Sequence, residues 1–196
     1  MRSLIVGGTS GLGLEIAKLL QSSGDQVIIT GRKNPEIKGL QFQKFNLDLG
    51  AELSGAVDTF VSALPKIDRF FYVAGFYQEG NLTELEDQAI KNMLDVGINA
   101  PIWFVRELLQ NQHEISEFVA VTSTSQWVPR EKEPVYSATK SALGMFANSV
   151  SLDKRVGKVL VAGPAGMNTA FWRMTGRATA NDNDPAWVAK KIVDAL

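Results

Sequence analysis

The chain has 196 residues, a formal net charge of −1 and 45% hydrophobic residues, enough for a single domain with a sizeable core. That charge gives no reason to expect nucleic acid or an anionic membrane surface as a partner, and no apolar run approaches the ~20 residues that span a bilayer. With no cysteine and a single histidine, His113, disulfides, thiolate nucleophiles and Cys- or His-rich metal sites are excluded, and a reducing cytoplasm is expected.

The first expected strand, Ser3–Val6, opens a short apolar run ending in Gly7-Gly8, the pattern of a buried parallel strand. Gly7, Gly11 and Gly13 follow as G-x-x-x-G-x-G, and Leu12, Ile16, Leu19 and Leu20 then recur on one face of a helix over Leu12–Ser23. A strand, a glycine turn and a helix together make a site for a dinucleotide phosphate. Glycines let the backbone approach a pyrophosphate, and the helix start supplies free N–H groups and the positive end of its dipole. No Gly-Lys-Ser/Thr ends the loop, so it is not the loop of a nucleoside triphosphatase. The second strand, Gln26–Thr30, runs into Gly31-Arg32-Lys33. In dinucleotide folds an acidic residue there binds a free ribose 2′-hydroxyl, whereas an arginine accommodates a 2′-phosphate. Arg32 therefore favours NADP(H) over NAD(H).

Further strands are expected at Gln41–Asn46, Arg69–Val73, Phe118–Thr122 and Lys158–Ala162, and further helices at Leu53–Ala63, Glu84–Val96 (running on toward Gln110), Tyr136–Asp153 and Pro185–Ala195. Thr83 and Glu86 have the spacing of a capping box, and Asp184 precedes Pro185 as an N-cap. His113 lies near a helix end, where a capping role suits it. Repeated strand–helix units imply an α/β fold: a three-layer, doubly wound parallel sheet (Rossmann fold) of six strands, in one domain over 1–196. There is no internal repeat or linker, no N-terminal signal peptide is expected, and Gly176 to Asp184 is the most polar loop, expected to be mobile.

Tyr136 and Lys140 stand four apart at the head of a helical run, so both side chains fall on one face. A phenol beside an ammonium can give or take a proton near neutral pH, because the cation favours the phenolate. Such pairs are common on helix surfaces. Ser123 upstream and the glycine turn at the start of the chain give this one meaning.

Taken in order, Gly7-Gly8-Thr9-Ser10-Gly11-Leu12-Gly13, Asp48-Leu49, Ala74-Gly75, Ser123, Tyr136-x-x-x-Lys140 and Pro164 to Thr169 resemble the short-chain dehydrogenase/reductase family over nearly the whole chain. The resemblance implies that Tyr136 is the general acid/base, that Ser123 orients a substrate carbonyl, and that Lys140 holds the nicotinamide ribose and lowers the tyrosine pKa. It also implies cofactor contacts from Gly7, Thr9, Ser10, Gly11, Leu12, Gly13, Arg32, Asp48, Leu49, Ala74, Gly75, Pro164 and Thr169. The expected activity is NADPH-dependent hydride transfer to or from a small-molecule carbonyl or alcohol. Such a transfer leaves an alkoxide that needs a proton and hydrogen-bond donors, which these side chains provide.

The chain also departs from the family. The family's Asn-Asn-Ala-Gly reads Tyr72-Val73-Ala74-Gly75, its Pro-Gly reads Pro164-Ala165, and the asparagine of its proton relay aligns with Gly97. Asn99 lies about 200° further round the helix and does not replace it. A pocket lined by Phe76, Tyr77, Gln126, Trp127, Met167, Phe171 and Trp172, under a short lid at 169–184, suggests a hydrophobic carbonyl. The family's seventh strand has no counterpart, so a homodimer through the helices at 100–110 and 136–153 is expected in place of a tetramer. The competing readings are a dinucleotide-binding sensor or scaffold without turnover, and an epimerase or dehydratase.

Overall fold

The computed structural model describes residues 1–173, 175 and 182–196. Six strands form one parallel sheet: β1 (Arg2–Val6), β2 (Gln26–Gly31), β3 (Gln41–Lys44), β4 (Arg69–Tyr72), β5 (Ile115–Val121) and β6 (Val156–Ala162). Their order across the sheet is β3-β2-β1-β4-β5-β6. The chain winds outward from β1 to β3, crosses back to β4, and winds outward again. The direction reverses between β1 and β4, which opens a crevice above their C-terminal ends. The helices are α1 (Gly11–Ser22), α2 (Leu53–Ser62), α3 (Asp87–Leu94), α4 (Ala100–Gln112), α5 (Pro134–Val150), α6 (Ala170–Arg173) and α7 (Pro185–Asp194). None among the described residues is long and apolar enough to cross a membrane.

Alternation along the strands builds the three layers. Leu4, Val6, Phe70, Tyr72, Phe118 and Ala120 point to one face, where α2, α4 and α5 cover them. Ile5, Phe71, Val119 and Val121 point to the other, against Ile16 and Leu20 of α1 and Val188 and Ile192 of α7. Phe104 of α4 anchors the first face, with ring centroids 5.5 Å from Phe45 and 5.8 Å from Phe70.

At the N-terminal ends of the strands, polar side chains hold neighbouring strands together. The Asp25 carboxylate accepts from Ser3 Oγ at 2.7 Å and from Arg69 Nη1 at 3.3 Å. Arg69 Nε lies 2.9 Å from Glu117 Oε2, an ion pair without straight hydrogen-bond geometry. The Asp68 carboxylate accepts from the Arg2 N–H at 2.8 Å.

Several boundaries differ from expectation. Strand β3 stops at Lys44, β5 starts at Ile115 and β6 at Val156. Pro134 opens α5 two residues before Tyr136, in the first-turn position where a missing N–H costs nothing. The capping box at Thr83 and Glu86 does not form: the Glu84 carboxylate turns back onto the Asn81 N–H at 3.0 Å, Glu86 stays extended, and α3 starts at Asp87. The helix then continues to Gln112 through a π turn at Asp95–Asn99. Asp184 caps α7 as expected, accepting from the Ala186 N–H at 2.9 Å. Lys158 on the edge strand β6 donates to the Ala195 and Leu196 carbonyls at the end of α7. Helix α6 is additional to the expected elements. The loop expected from Gly176 to Asp184 lies through residue 181 outside the described residues, as does residue 174, so only part of the expected lid at 169–184 is described.

Candidate active site

A cleft of about 330 Å³ occupies the crevice above β1 and β4. The glycine turn forms one end. Gly7 has φ +89°, and a Cβ there would lie 2.6 Å from the Ala74 backbone nitrogen. A Cβ on Gly13 would run into the Gly7 carbonyl, and Gly11 has φ +51°. These positions need glycine because strand, turn and helix close on one another. Ser10 is the N-cap of α1, and its side chain makes no cap bond. The first amides of α1 are thus left without a side-chain acceptor at the edge of the cleft, where Thr9, Ser10, Leu12 and Gly13 line it.

Arg32 lines the same cleft just past β2, beside Asn46 and Asp48. Gly31 lets Thr9 pack there, since a Cβ would collide with the Thr9 hydroxyl. Ala74, Gly75, Pro164 and Thr169 border the cleft as well. Leu49 does not line it: the residue is partly buried and packs against the core on the first face of the sheet.

Ser123 follows β5, and its Oγ accepts from the Ser125 N–H at 3.2 Å. Tyr136 and Lys140 enter from α5, each only 4% exposed. Lys140 Nζ donates to the Val121 carbonyl at 3.2 Å and lies 5.7 Å from the Tyr136 ring centroid. Burial pushes the lysine pKa down from 10.5 to about 8. A cation held this way faces both the tyrosine ring and the cleft.

The aromatic residues divide. Phe76, Met167, Phe171 and Trp172 line the cleft. Tyr77 does not; its ring meets Tyr136 edge-on at 5.0 Å and Trp172 at 5.0 Å, and so braces the catalytic candidate from the side. Gln126 and Trp127 also stay outside. The Gln126 carbonyl accepts from Ser141 Oγ at 2.8 Å, and its side chain lies over Gly144. Trp127 covers Gly163 and remains 66% exposed.

The position aligned with the relay asparagine is filled by packing. A Cβ on Gly97 would lie 2.6 Å from Thr139 Cβ. Asn99 points elsewhere and donates to Asp95 at 2.7 Å. The buried Tyr72 hydroxyl donates to the Val96 carbonyl inside the π turn. Burial raises its pKa well above 10. Tyr72 thus joins the sheet to the turn before α4. Sequence reasoning noted the residue only as a departure from Asn, although a large phenol in an apolar strand signals a buried hydrogen bond.

Two more polar residues escaped sequence reasoning, Ser125 and Glu133. Ser125 Oγ donates to Glu133 Oε2 at 2.9 Å, and Ser123 Oγ donates to Ser125 Oγ at 3.3 Å. The only signal in the sequence was the Ser-x-Ser spacing. No group of three or more His, Cys, Asp or Glu suited to a metal ion occurs among the described residues.

The family model for short chain dehydrogenases matches residues 2–180. The chain belongs to that family. Among its relatives, an uncharacterized oxidoreductase of Staphylococcus haemolyticus is 23% identical over 209 residues, covering 99% of this chain and 90% of the relative. An uncharacterized oxidoreductase of Bacillus subtilis is 29% identical over 152 residues, covering 71% of this chain and 57% of the relative. Of solved structures, a Vibrio parahaemolyticus short-chain dehydrogenase/reductase superposes with a TM-score of 0.84 at 25% identity, covering 99% of this chain and 92% of that one. A Sphingobium yanoikuyae short-chain dehydrogenase in complex with NADPH gives 0.86 at 15% identity, covering 99% and 83%. Membership makes this an oxidoreductase fold with a nicotinamide-dinucleotide site acting on small molecules.

The residues present fit such a dinucleotide. The glycine cradle has room only for backbone, the first turn of α1 offers amides, and apolar walls at Val73 and Ala74 flank the cleft.

Proposed function

We propose that the protein is an NADP(H)-dependent oxidoreductase that interconverts a hydrophobic carbonyl compound and its alcohol, with Tyr136 as general acid/base. The carrying observation is convergence: Ser123, Tyr136 and Lys140 come from two separate segments into the cleft that the glycine turn also lines. When bound, the nicotinamide would supply or accept the hydride. Gly7, Gly11 and Gly13 with the α1 amides would hold the pyrophosphate, Arg32 a 2′-phosphate, and Thr169 the carboxamide end. Tyr136 then delivers a proton to the substrate oxygen, Ser123 hydrogen-bonds that oxygen, and Lys140 stabilises the phenolate left behind. Phe76, Phe171 and Trp172 favour an apolar substrate and exclude water.

NADPH and NADH titrations of wild type and Arg32→Ala, followed by turnover of phenanthrenequinone, test this reading. NADPH should bind about tenfold tighter than NADH, and Arg32→Ala should remove that preference, as expected for one lost charged phosphate contact. Equal affinities in the wild type would defeat the NADP assignment.

One observation favours a second reading, a dinucleotide-binding sensor without turnover: Thr139 closes the space of the relay asparagine at Gly97. NADPH binding without Tyr136-dependent oxidation of any compound in a broad carbonyl panel would select it. We further propose a homodimer through α4 and α5. Met145 is exposed there, and Trp103 carries Arg106 over its ring at 5.1 Å. Light scattering that reports a monomer or a tetramer would contradict the dimer.

A further inference from the structure

We propose that Glu133, acting through Ser125 and Ser123, is the proton-exchange group of this site, a relay that does not use the position closed at Gly97. The inference rests on the oxidoreductase reading above. Its geometry is a chain of three side chains that starts in the cleft and ends on the half-buried turn before α5.

The polarity of the chain follows from the chemistry of its end. An ionised carboxylate can only accept hydrogen bonds. Glu133 Oε2 receives the Ser125 hydroxyl at 2.9 Å, so Ser125 has spent its one hydrogen. At the 3.3 Å contact with Ser123 it can then only accept, and Ser123 donates. The Ser125 N–H fixes Ser123 Oγ further, at 3.2 Å. With Glu133 ionised, Ser123 therefore offers the cleft a lone pair. With a proton on Glu133 the chain reverses, and Ser123 offers the cleft a hydrogen. Glu133 sets which of the two the substrate oxygen meets.

The same chain can reload Tyr136. After Tyr136 has given its proton to the substrate oxygen, protonated Glu133 passes its proton to Ser125 Oγ. Ser125 passes its own to Ser123 Oγ, and Ser123 its own to the alcohol oxygen. The alcohol hydroxyl proton returns to the Tyr136 phenolate. Each oxygen forms one O–H bond and breaks one, except that Glu133 ends ionised and Tyr136 neutral. Solvent protonates Glu133 again, and the reverse sequence serves alcohol oxidation. No electrons move in the relay and no further reactant is needed.

The groups around Glu133 suit a proton carrier. Its Oε1 accepts from the Tyr77 hydroxyl at 3.3 Å, and Tyr77 also approaches Glu79 at 3.5 Å. Tyr77 in turn braces the Tyr136 ring. Glu131 and Lys132 precede it in the chain, and the Arg130 guanidinium donates to Thr124 Oγ1 at 2.9 Å. Burial, followed by the charge of Glu133, raises the Tyr77 pKa well above its usual 10, so Tyr77 is a fixed donor and not a competing proton source.

The test compares wild type, Glu133→Ala and Ser125→Ala for NADPH-dependent reduction of phenanthrenequinone across pH, with and without added formate. Both variants should lose about tenfold in kcat, the low end of general acid–base effects, with NADPH affinity unchanged within about twofold. Formate should restore Glu133→Ala in proportion to its concentration and leave Ser125→Ala unrescued. Unchanged kcat in both variants, or a loss that formate does not repair in Glu133→Ala, overturns the proposal. A Tyr136→Phe control separates the two levels: turnover retained in that variant defeats the oxidoreductase reading itself. A measurement without turnover stands beside these, the solvent exchange of the Ser125 hydroxyl proton by NMR in the cofactor-free protein. It should be faster in wild type than in Glu133→Ala, because Glu133 carries solvent protons to it, and equal exchange in the two means that Glu133 is not the exchange group.

Discussion

The two ends of the sheet use the same residue types for opposite purposes. At the N-terminal ends of the strands, Asp25, Arg69 and Glu117 neutralise one another, and the N-terminus and Ser3 close the set around Asp25. At the C-terminal ends, Lys140 is buried with a carbonyl and an aromatic ring for company and, among the described residues, no carboxylate bonded to it. One end satisfies its charges and holds the strands in register. The other keeps a cation underpaid, so that its pKa falls toward neutrality. Charge pairing is a stability device, and withheld pairing is a chemical one.

Mutations at each end should separate these roles. The largest effect is expected from Ser123→Ala, which removes the group proposed above to hydrogen-bond the substrate oxygen. Turnover should fall about a thousandfold, while the Ser125 N–H left without its acceptor costs only about 1 kcal/mol of stability. Next is Arg69→Ala, which leaves Glu117 without its cation and Asp25 with the N-terminus alone. Denaturant unfolding should show a loss of about 3 kcal/mol, while kcat per folded molecule stays the same. If Arg69→Ala slowed turnover and Ser123→Ala destabilised the fold as much as Arg69→Ala, the division between the two ends would be wrong.

A smaller effect has the opposite sign. The folded pKa of Lys140, about 8, lies below its ordinary 10.5. Below about pH 8 both folded and unfolded chains hold the proton, and the full cost of burying the charge is present. Between about 8 and 10.5 the unfolded chain binds more protons, so stability rises with pH across that window. Lys140→Met should stabilise the cofactor-free protein at neutral pH by about 2 kcal/mol, allowing for the lost bond to Val121. The rise between about pH 8 and 10.5 should disappear in the variant. The smallest effect belongs to the link between sheet and helix: Tyr72→Phe should cost about 1 kcal/mol, from the bond lost at the Val96 carbonyl.

The parallel sheet, the glycine turn and the Tyr136–Lys140 face were legible in the sequence because each depends on local pattern. Leu4 and Ile5 alternate, Gly7 and Gly13 have no room for a Cβ, and a spacing of four sets a helix face. What was not legible depends on distant contacts. Whether Gly97 leaves a vacancy is decided by Thr139, in another helix. Leu49, Gln126 and Trp127 follow strand ends as cleft residues should, but their side chains turn into the core, over Gly144 and over Gly163. Glu133 gave no signal, since a carboxylate before a helix usually reads as a solvated cap. Its partner Ser125 reaches it only because the turn after β5 folds against the start of α5. The capping box at Thr83 failed because Asn81 offered Glu84 a nearer N–H.

The most direct test of the account is NADPH oxidation with phenanthrenequinone, measured in parallel for wild type and Tyr136→Phe at matched NADPH occupancy. Wild type should oxidise NADPH, and Tyr136→Phe should fall by at least about a hundredfold while binding NADPH as tightly. Equal rates in the two proteins would contradict the assignment of Tyr136 and, with it, the chemical role given to the C-terminal end of the sheet.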